Sequence, residues 1–328
     1  MKKLLNKKNL FYLILTVVVW GVLFALSEGR VLSYQMRNML VPIGVNIILA
    51  VSLNLIVGFL GELALGHAGF MAVGAYAGCL LIKTMSGLPP MLALVIGMLA
   101  GGLAAAAIGF VIGLPVLRLR GDYVAIVTLA FGQIIVTLLT NMKVTGGASG
   151  LKEIPMEANF TIVYIVMVVT VLIIATLANS RHGRAISAIR ENEVAARSIG
   201  INITYYKMLA FVISAFFAGI AGVLYGSNLG ILIPRSFDYN KSIEILVFVV
   251  LGGMGSLPGS IIAATILTLL PELLREFSDY RMLAYSIVLI AMMLLNASPR
   301  FESVKAKLNW RRLWALLKQK LEKKPNKA

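Results

Sequence analysis

MLALVIGMLAGGLAAAAIGFVIGL, residues 91–114, runs for 24 residues without one charged or polar side chain. As a helix rising about 1.5 Å per residue it would be about 36 Å long, enough to cross a hydrocarbon layer of about 30 Å. It has no period-two alternation, so it is not a strand of a membrane barrel, and in lipid only a helix would satisfy its backbone polar groups. Gly97, Gly101, Ala105, Gly109 and Gly113 recur every four residues, the pattern that lets two helices approach closely where hydrophobic burial gives no drive. Ala218, Gly222, Gly226 and Gly230 repeat it.

Working outward from this stretch, further apolar segments fall at 9–26, 39–60, 63–86, 122–142, 160–179, 206–229, 258–275 and 282–297. A shorter one, 243–252, cannot span a bilayer as a straight helix and runs into GGMGSLPG (252–259). That region is either a broken helix pair or a re-entrant hairpin. The chain is 59% hydrophobic and 13% charged, against about 25% charged in soluble domains. The expected fold is all-α: a polytopic membrane bundle of 8–10 transmembrane or re-entrant segments over residues 1–298. Residues 1–29 look superficially like a signal peptide, but the apolar run is long and lacks a clean cleavage site, so it is read as a first membrane helix.

The net charge of +16 does not require nucleic acid, because basic residues collect in cytoplasmic loops. With the N-terminus inside, twenty-one lysines and arginines fall at inner ends and nine at outer ends. Both termini are therefore placed in the cytoplasm. In the basic tail, 299–328, Trp310, Trp314, Leu317 and Leu321 share one helical face, which suits either an interfacial helix on anionic lipid or a solvated tail.

Chemistry is sparse. Two histidines and one cysteine, Cys79, do not supply a zinc site or an internal disulfide. H-E-x-x-H, G-x-S-x-G and G-x-x-x-x-G-K-[ST] are all missing, so neither an enzyme nor a Walker-type ATPase is expected, and no cofactor. Polar groups inside apolar runs are costly and often functional. On that ground Asn54, His67, Tyr76, Thr128 and Gln133 are candidates for a substrate pathway, although His67 could equally bond only a neighbouring helix. Glu62 is placed near the cytoplasmic end, facing water. The carboxylates lie near segment ends, which weakens the reading as a self-sufficient secondary carrier.

One charged island interrupts the apolar chain. In RHGRAISAIRENEVAARSIG, 181–200, residues 185–199 read as one helix of about four turns. Arg190, Glu193 and Arg197 share a face, with Ala185, Ala188, Ile189, Ala195, Ala196 and Ile199 on the other side, and Gly200 as a left-handed stop. A solvated loop is the duller alternative.

GELALGHAGFMAVGAY, RLRGDYVAIVTLAFGQII, TGGASGL, AIRENEVAARSIGIN and LGGMGSLPGS, in this order between about residues 54 and 265, resemble the permease subunits of branched-chain amino acid ABC importers, the second of their two paired membrane-subunit types. Two positions depart from the family pattern: Glu62 stands where glutamine is common, and Gln133 where glutamate is. The resemblance implies import of leucine, isoleucine or valine across the bacterial cytoplasmic membrane. It also implies four partners: a homologous permease subunit, two cytoplasmic ATPase subunits and an extracytoplasmic binding protein. Relatives carrying urea, amides or other small solutes are the alternative. It further implies that Arg190, Glu191, Glu193, Ala195, Ala196, Arg197 and Gly200 couple to an ATPase subunit, the apolar face entering a groove on it.

The charge count makes a direct prediction. Cysteines introduced at Lys152 and Ser187, in a Cys79→Ser background, should react with membrane-impermeant reagent from opposite sides of the membrane.

Overall fold

The computed structural model describes residues 34–85, 87–119 and 121–274, with isolated positions at 21, 283, 286, 287, 290 and 294. The apolar segments expected at 9–26 and 282–297, and the basic tail, lie outside the described residues. The described residues up to Leu269 form one compact unit; the described end of the last helix, from Leu270, belongs to a second. The described residues build a helical membrane protein, and five of its helices are long and apolar enough to cross a membrane.

Helix α1 (Tyr34–Asn54) continues into a π-helical turn, Leu55–Leu60, and stops at Gly61, whose φ of 80° is left-handed. A non-helical stretch, 61–66, then leads to α2 (His67–Thr84). Helix α3 (Pro90–Val116) opens on a proline, which has no N–H to leave unsatisfied at a helix start. Next come α4 (Asp122–Asn141) and α5 (Phe160–Asn179). The charged island forms α6 (Arg181–Glu191) and α7 (Glu193–Ser198), followed by α8 (Ile203–Leu229), α9 (Tyr239–Gly252) and α10 (Leu257–Leu273).

Helices α2, α3 and α8 meet at glycines. A Cβ on Gly74 would lie 2.2 Å from Gly219 Cα, one on Gly101 2.5 Å from the Gly74 carbonyl, and one on Gly222 2.1 Å from the Met71 carbonyl. Of the two small-residue rows noted in the sequence, Gly101 and Gly222 thus meet backbone, whereas Gly109, Gly113, Gly226 and Gly230 make room for neighbouring side chains. At the far end of α8, TGGASGL folds against this chain's own residues. Leu151 and Leu232 exchange two backbone hydrogen bonds of 2.9 Å, and Lys83 pairs with Glu153 at 3.3 Å. Residues 143–158 and 181–202 thereby lie at opposite ends of α8, a helix of 27 residues and about 40 Å.

The region after 243 is a helical hairpin. Helix α9 has 14 residues, about 21 Å, and its tip turns through Gly253 and Gly255, both with positive φ. Gly252 and Gly259 pack so closely that a Cβ on Gly259 would meet the Gly252 carbonyl.

The packing predicts a contrast between glycines. Gly222→Ala should destabilise the bundle by about 1–3 kcal/mol, because its Cβ meets fixed backbone. Gly132→Ala should be tolerated, its nearest neighbour being Gly66 Cα at 3.5 Å. Thermal unfolding in detergent, followed by size exclusion, distinguishes the two.

Candidate functional site

The charged island is not one helix. Asn192 is extended (φ −159°, ψ 107°), ends α6, and caps α7 by accepting a hydrogen bond of 3.0 Å from the Ala195 N–H. An asparagine side chain competes with helix hydrogen bonding and favours this cap position. Ser180 caps α6 in the same way, accepting from His182 and Gly183. Gly200, with φ of 84°, closes the segment as its sequence suggested.

The break separates residues that one continuous helix would have grouped. Arg190, on α6, reaches over Gly61 and donates to the Gly58 carbonyl. That carbonyl belongs to the end of the π-turn, where helix carbonyls lack partners and the helix dipole favours a cation. Glu193, on α7, accepts from Arg197 at 3.3 Å and from Lys207 of α8 at 3.3 Å. Lys207, 5% exposed, also pairs with Glu62.

Glu62 therefore does not face open water. Burial raises its carboxyl above the ordinary range, and the Lys207 ammonium hydrogen-bonded to it pulls the other way. One of its oxygens, Oε2, is buried without a hydrogen-bond partner.

The apolar side of the island is divided too. Ile186, Ile189 and Ala196 are buried with Leu55, Leu60, Ile203 and Ala210 of the same chain. Val194 and Ile199, by contrast, are each 75% exposed. Glu191, Ala195 and Gly200 are exposed beside them. Of the face assigned by sequence to a partner's groove, Ile189 and Ala196 are thus spent on this chain's own bundle, and the free apolar groups sit at the tip.

Four of the five pathway candidates are buried and hydrogen-bonded inside the bundle. Asn54 donates to Ser260 Oγ at 2.9 Å and accepts from Gly255 N at 2.9 Å, so it holds the α9–α10 tip against α1. Ser52 donates its proton to the Leu49 carbonyl and so accepts from His67 Nε2 at 3.0 Å; this leaves His67 Nδ1 bare and buried. Tyr76 donates to the Leu232 carbonyl at 2.9 Å. Thr128 accepts from Leu65 N at 3.0 Å, fixing the non-helical stretch 61–66 to α4. Gln133 is half-buried on α4. The structure brings Asn54 to within one residue contact of the Arg190 junction, since a Cβ on Gly58 would strike both Asn54 Oδ1 and Gly255 N. His67, Tyr76, Thr128 and Gln133 are not part of that junction. Sequence reasoning missed Lys207, whose position one turn inside an apolar helix was the available signal. Among the described residues no group of three His, Cys, Asp or Glu could hold a metal ion.

Residues 35–297 match the family described as branched-chain amino acid transport system, permease component. The chain belongs to that family. Within it, the chain is 37% identical to the high-affinity branched-chain amino acid transport system permease protein LivM of Salmonella typhimurium, over 88% of this chain and 73% of that protein. A shorter match, 34% identical, covers 35% of this chain and 38% of LivH, a high-affinity branched-chain amino acid transport system permease protein of Escherichia coli. A third relative is the autoinducer 2 import system permease protein LsrC of Enterobacter sp., 26% identical over 84% of this chain and 82% of its own length. As a member of a permease family, the chain is a multi-pass transport protein of the membrane, and it is the buried ion cluster that ties its charged island to two of its membrane helices.

The cluster predicts non-additive mutations. Lys207→Met should destabilise this permease by about 3 kcal/mol, because it strands Glu62 and Glu193 near one another. Adding Glu62→Gln should recover a large part of that loss, read as a rise in melting temperature of the double variant over the single. Glu62 alone gives a sign for pH: its raised folded-state pKa means stability falls as pH rises above the ordinary carboxylate range, and Glu62→Gln should flatten that fall.

Proposed function

We propose that this permease is one membrane half of an ATP-driven importer of branched-chain amino acids in the bacterial cytoplasmic membrane. It pairs with a homologous permease subunit. Two ATPase subunits bind on the side of residues 181–202, which is cytoplasmic together with both termini. An extracytoplasmic binding protein docks on the side of residues 143–158 and delivers leucine, isoleucine or valine.

One observation carries the coupling role. Val194 and Ile199 present bare apolar surface at a tip, while Arg190, Glu193 and Lys207 tie the base of that tip to α1 and α8. An exposed apolar tip on a short charged segment suits insertion into a groove on another protein. A rigid base means that displacement of the tip reaches the membrane helices rather than dissipating in a loop. Arg190, Glu193 and Arg197 then act as the tether, and Glu191, Ala195, Ala196 and Gly200 shape the contact. Asn54, His67, Tyr76 and Thr128 fix the walls of the pathway by their internal hydrogen bonds, and Gln133, half-buried on α4, is the remaining candidate. Substrate selection rests mainly with the binding protein, because a path built of neutral groups grips an apolar side chain weakly.

The test is uptake in vesicles carrying the whole transporter and its binding protein. Leucine, isoleucine and valine should compete with one another, and urea should not compete. Val194→Asp and Ile199→Asp should each cut ATP-driven uptake by about tenfold or more and weaken co-purification of the ATPase, while insertion and melting temperature hold. Normal uptake by both variants would overturn the coupling role. Transport of urea or autoinducer 2 in place of leucine would overturn the substrate.

A further inference from the structure

Lys241 and Glu244 lie on the first turns of α9, 3.0 Å apart. Lys241 Nζ also lies 3.4 Å from Asn46 Oδ1, and Asn46 Nδ2 donates to Thr268 Oγ1 at 2.9 Å. Asn46 fixes the depth of this group. It stands two residues from the middle of the 25-residue apolar stretch Met36–Leu60, about 3 Å along the helix. The ion pair is therefore level with the centre of a membrane-spanning segment. Sequence reasoning placed the carboxylates near segment ends. Glu244 is near the start of its helix, but that helix starts at mid-depth, since its 14 residues run from the level of Asn46 to the tip held by Asn54. Two other ion-paired groups, Lys83–Glu153 and the Glu62 cluster, lie at helix ends, where water is near.

The start of α2 meets the start of α9 at the same level. The Ala68 N–H donates to Ser242 Oγ at 3.1 Å, and His67, next in chain, keeps its bare Nδ1. Helices broken at mid-depth, with polar groups converging on the break, are the architecture that transporters use to hold a solute halfway. The pair is also open. The side chains of Lys241 and Glu244 are 17% and 39% exposed in the isolated chain. A half-exposed carboxylate at that depth is too costly against lipid, so this face borders water or the paired subunit.

Resting on the function proposed above, we infer that Lys241 and Glu244 are a relay station for the charged head of the transported amino acid. The carboxylate of the zwitterion takes Lys241, and its ammonium takes Glu244. Each protein charge exchanges one opposite partner for another, so no charge is left uncompensated at low dielectric. Asn46, anchored by Thr268, holds the Lys241 ammonium in place while its partner changes. The station recognises the head common to all zwitterionic amino acids and leaves the side chain to other parts of the system. An uncharged solute would have to enter without either exchange.

The test separates this role from a structural ion pair. Removing both charges of a structural pair is close to neutral, whereas removing both charges of a binding station removes the station. Lys241→Met/Glu244→Gln is assayed in the complete transporter, reconstituted with leucine-loaded binding protein at saturation. Leucine uptake should fall by about tenfold or more, the loss expected for a hydrogen bond to a charged group, while stimulated ATP hydrolysis stays within about twofold. Lys241→Arg should keep most of the uptake. Uptake by the double variant within about twofold of the unaltered protein would overturn the station. So would a parallel loss of uptake and ATP hydrolysis, which marks a transporter disabled as a whole rather than one that has lost a solute station. Failure of the unaltered protein to take up leucine would instead overturn the functional reading, and this station with it.

Discussion

Apolar side chains gain nothing from one another in a solvent that is itself apolar, so this bundle must cohere by other means. It does so by bringing backbones together. Gly74 lies against Gly219, Gly101 against Gly74, and Gly222 against Met71, at distances that exclude even a methyl group. Dispersion between such close surfaces replaces the hydrophobic drive of a soluble core. Everything else depends on this three-helix block of α2, α3 and α8. It gives α8 the rigidity to carry a contact at one end of the molecule toward the other, and it provides a fixed wall against which the broken helices can be arranged.

Breaking helices inside a membrane protein exposes backbone groups that lipid cannot satisfy. Each break here has a named side chain attending to it. Thr128 accepts from Leu65 in the stretch after α1, Ser242 accepts from Ala68 at the start of α2, and Asn54 accepts from Gly255 at the hairpin tip. Arg190 serves the Gly58 carbonyl from outside the membrane helices altogether. These four polar side chains are thus tied to particular interruptions. The interruptions, in turn, are what place charged and polar groups at depths where a continuous helix would present only hydrocarbon.

The long runs of apolar residues and the four-residue spacing of glycine were plain in the sequence because both are local and periodic, and the structure uses them as the pattern indicated. The charged island was legible as helical, and Gly200 as its stop. Its break at Asn192 was not, because a cap and a helix-interior asparagine are alike in composition; what differs is which backbone N–H the side chain meets. The pairing of Lys207 with Glu62 joins residues far apart in the chain, and no periodicity links them. Glu244 sits near the start of its helix, as the sequence suggested; the position of a residue along its own helix says nothing of the level at which that helix begins. For the same reason Asn54, His67, Tyr76 and Thr128 stood out as polar residues in apolar surroundings, while the partners that occupy them came from other segments.

The π-turn at Leu55–Leu60 has a consequence for how this chain tolerates change in length. A wider turn takes in one more residue than an α-helical turn, so it shifts the angular phase of whatever follows it. Before the turn, α1 shows Asn46 to Thr268 and Ser52 to His67; within it, Gly58 shows its carbonyl to Arg190. The wide turn is what lets one helix satisfy two sets of neighbours whose directions do not match a single helical phase. A one-residue deletion there would leave α1 in register and swing the rest of the turn by about 100° about the helix axis, carrying the Gly58 carbonyl away from its arginine. Ordinary surface loops absorb gains and losses of residues freely. In this molecule a six-residue stretch within the bundle keeps such an adjustment permanently in place, between α1 and the non-helical residues 61–66 that follow it.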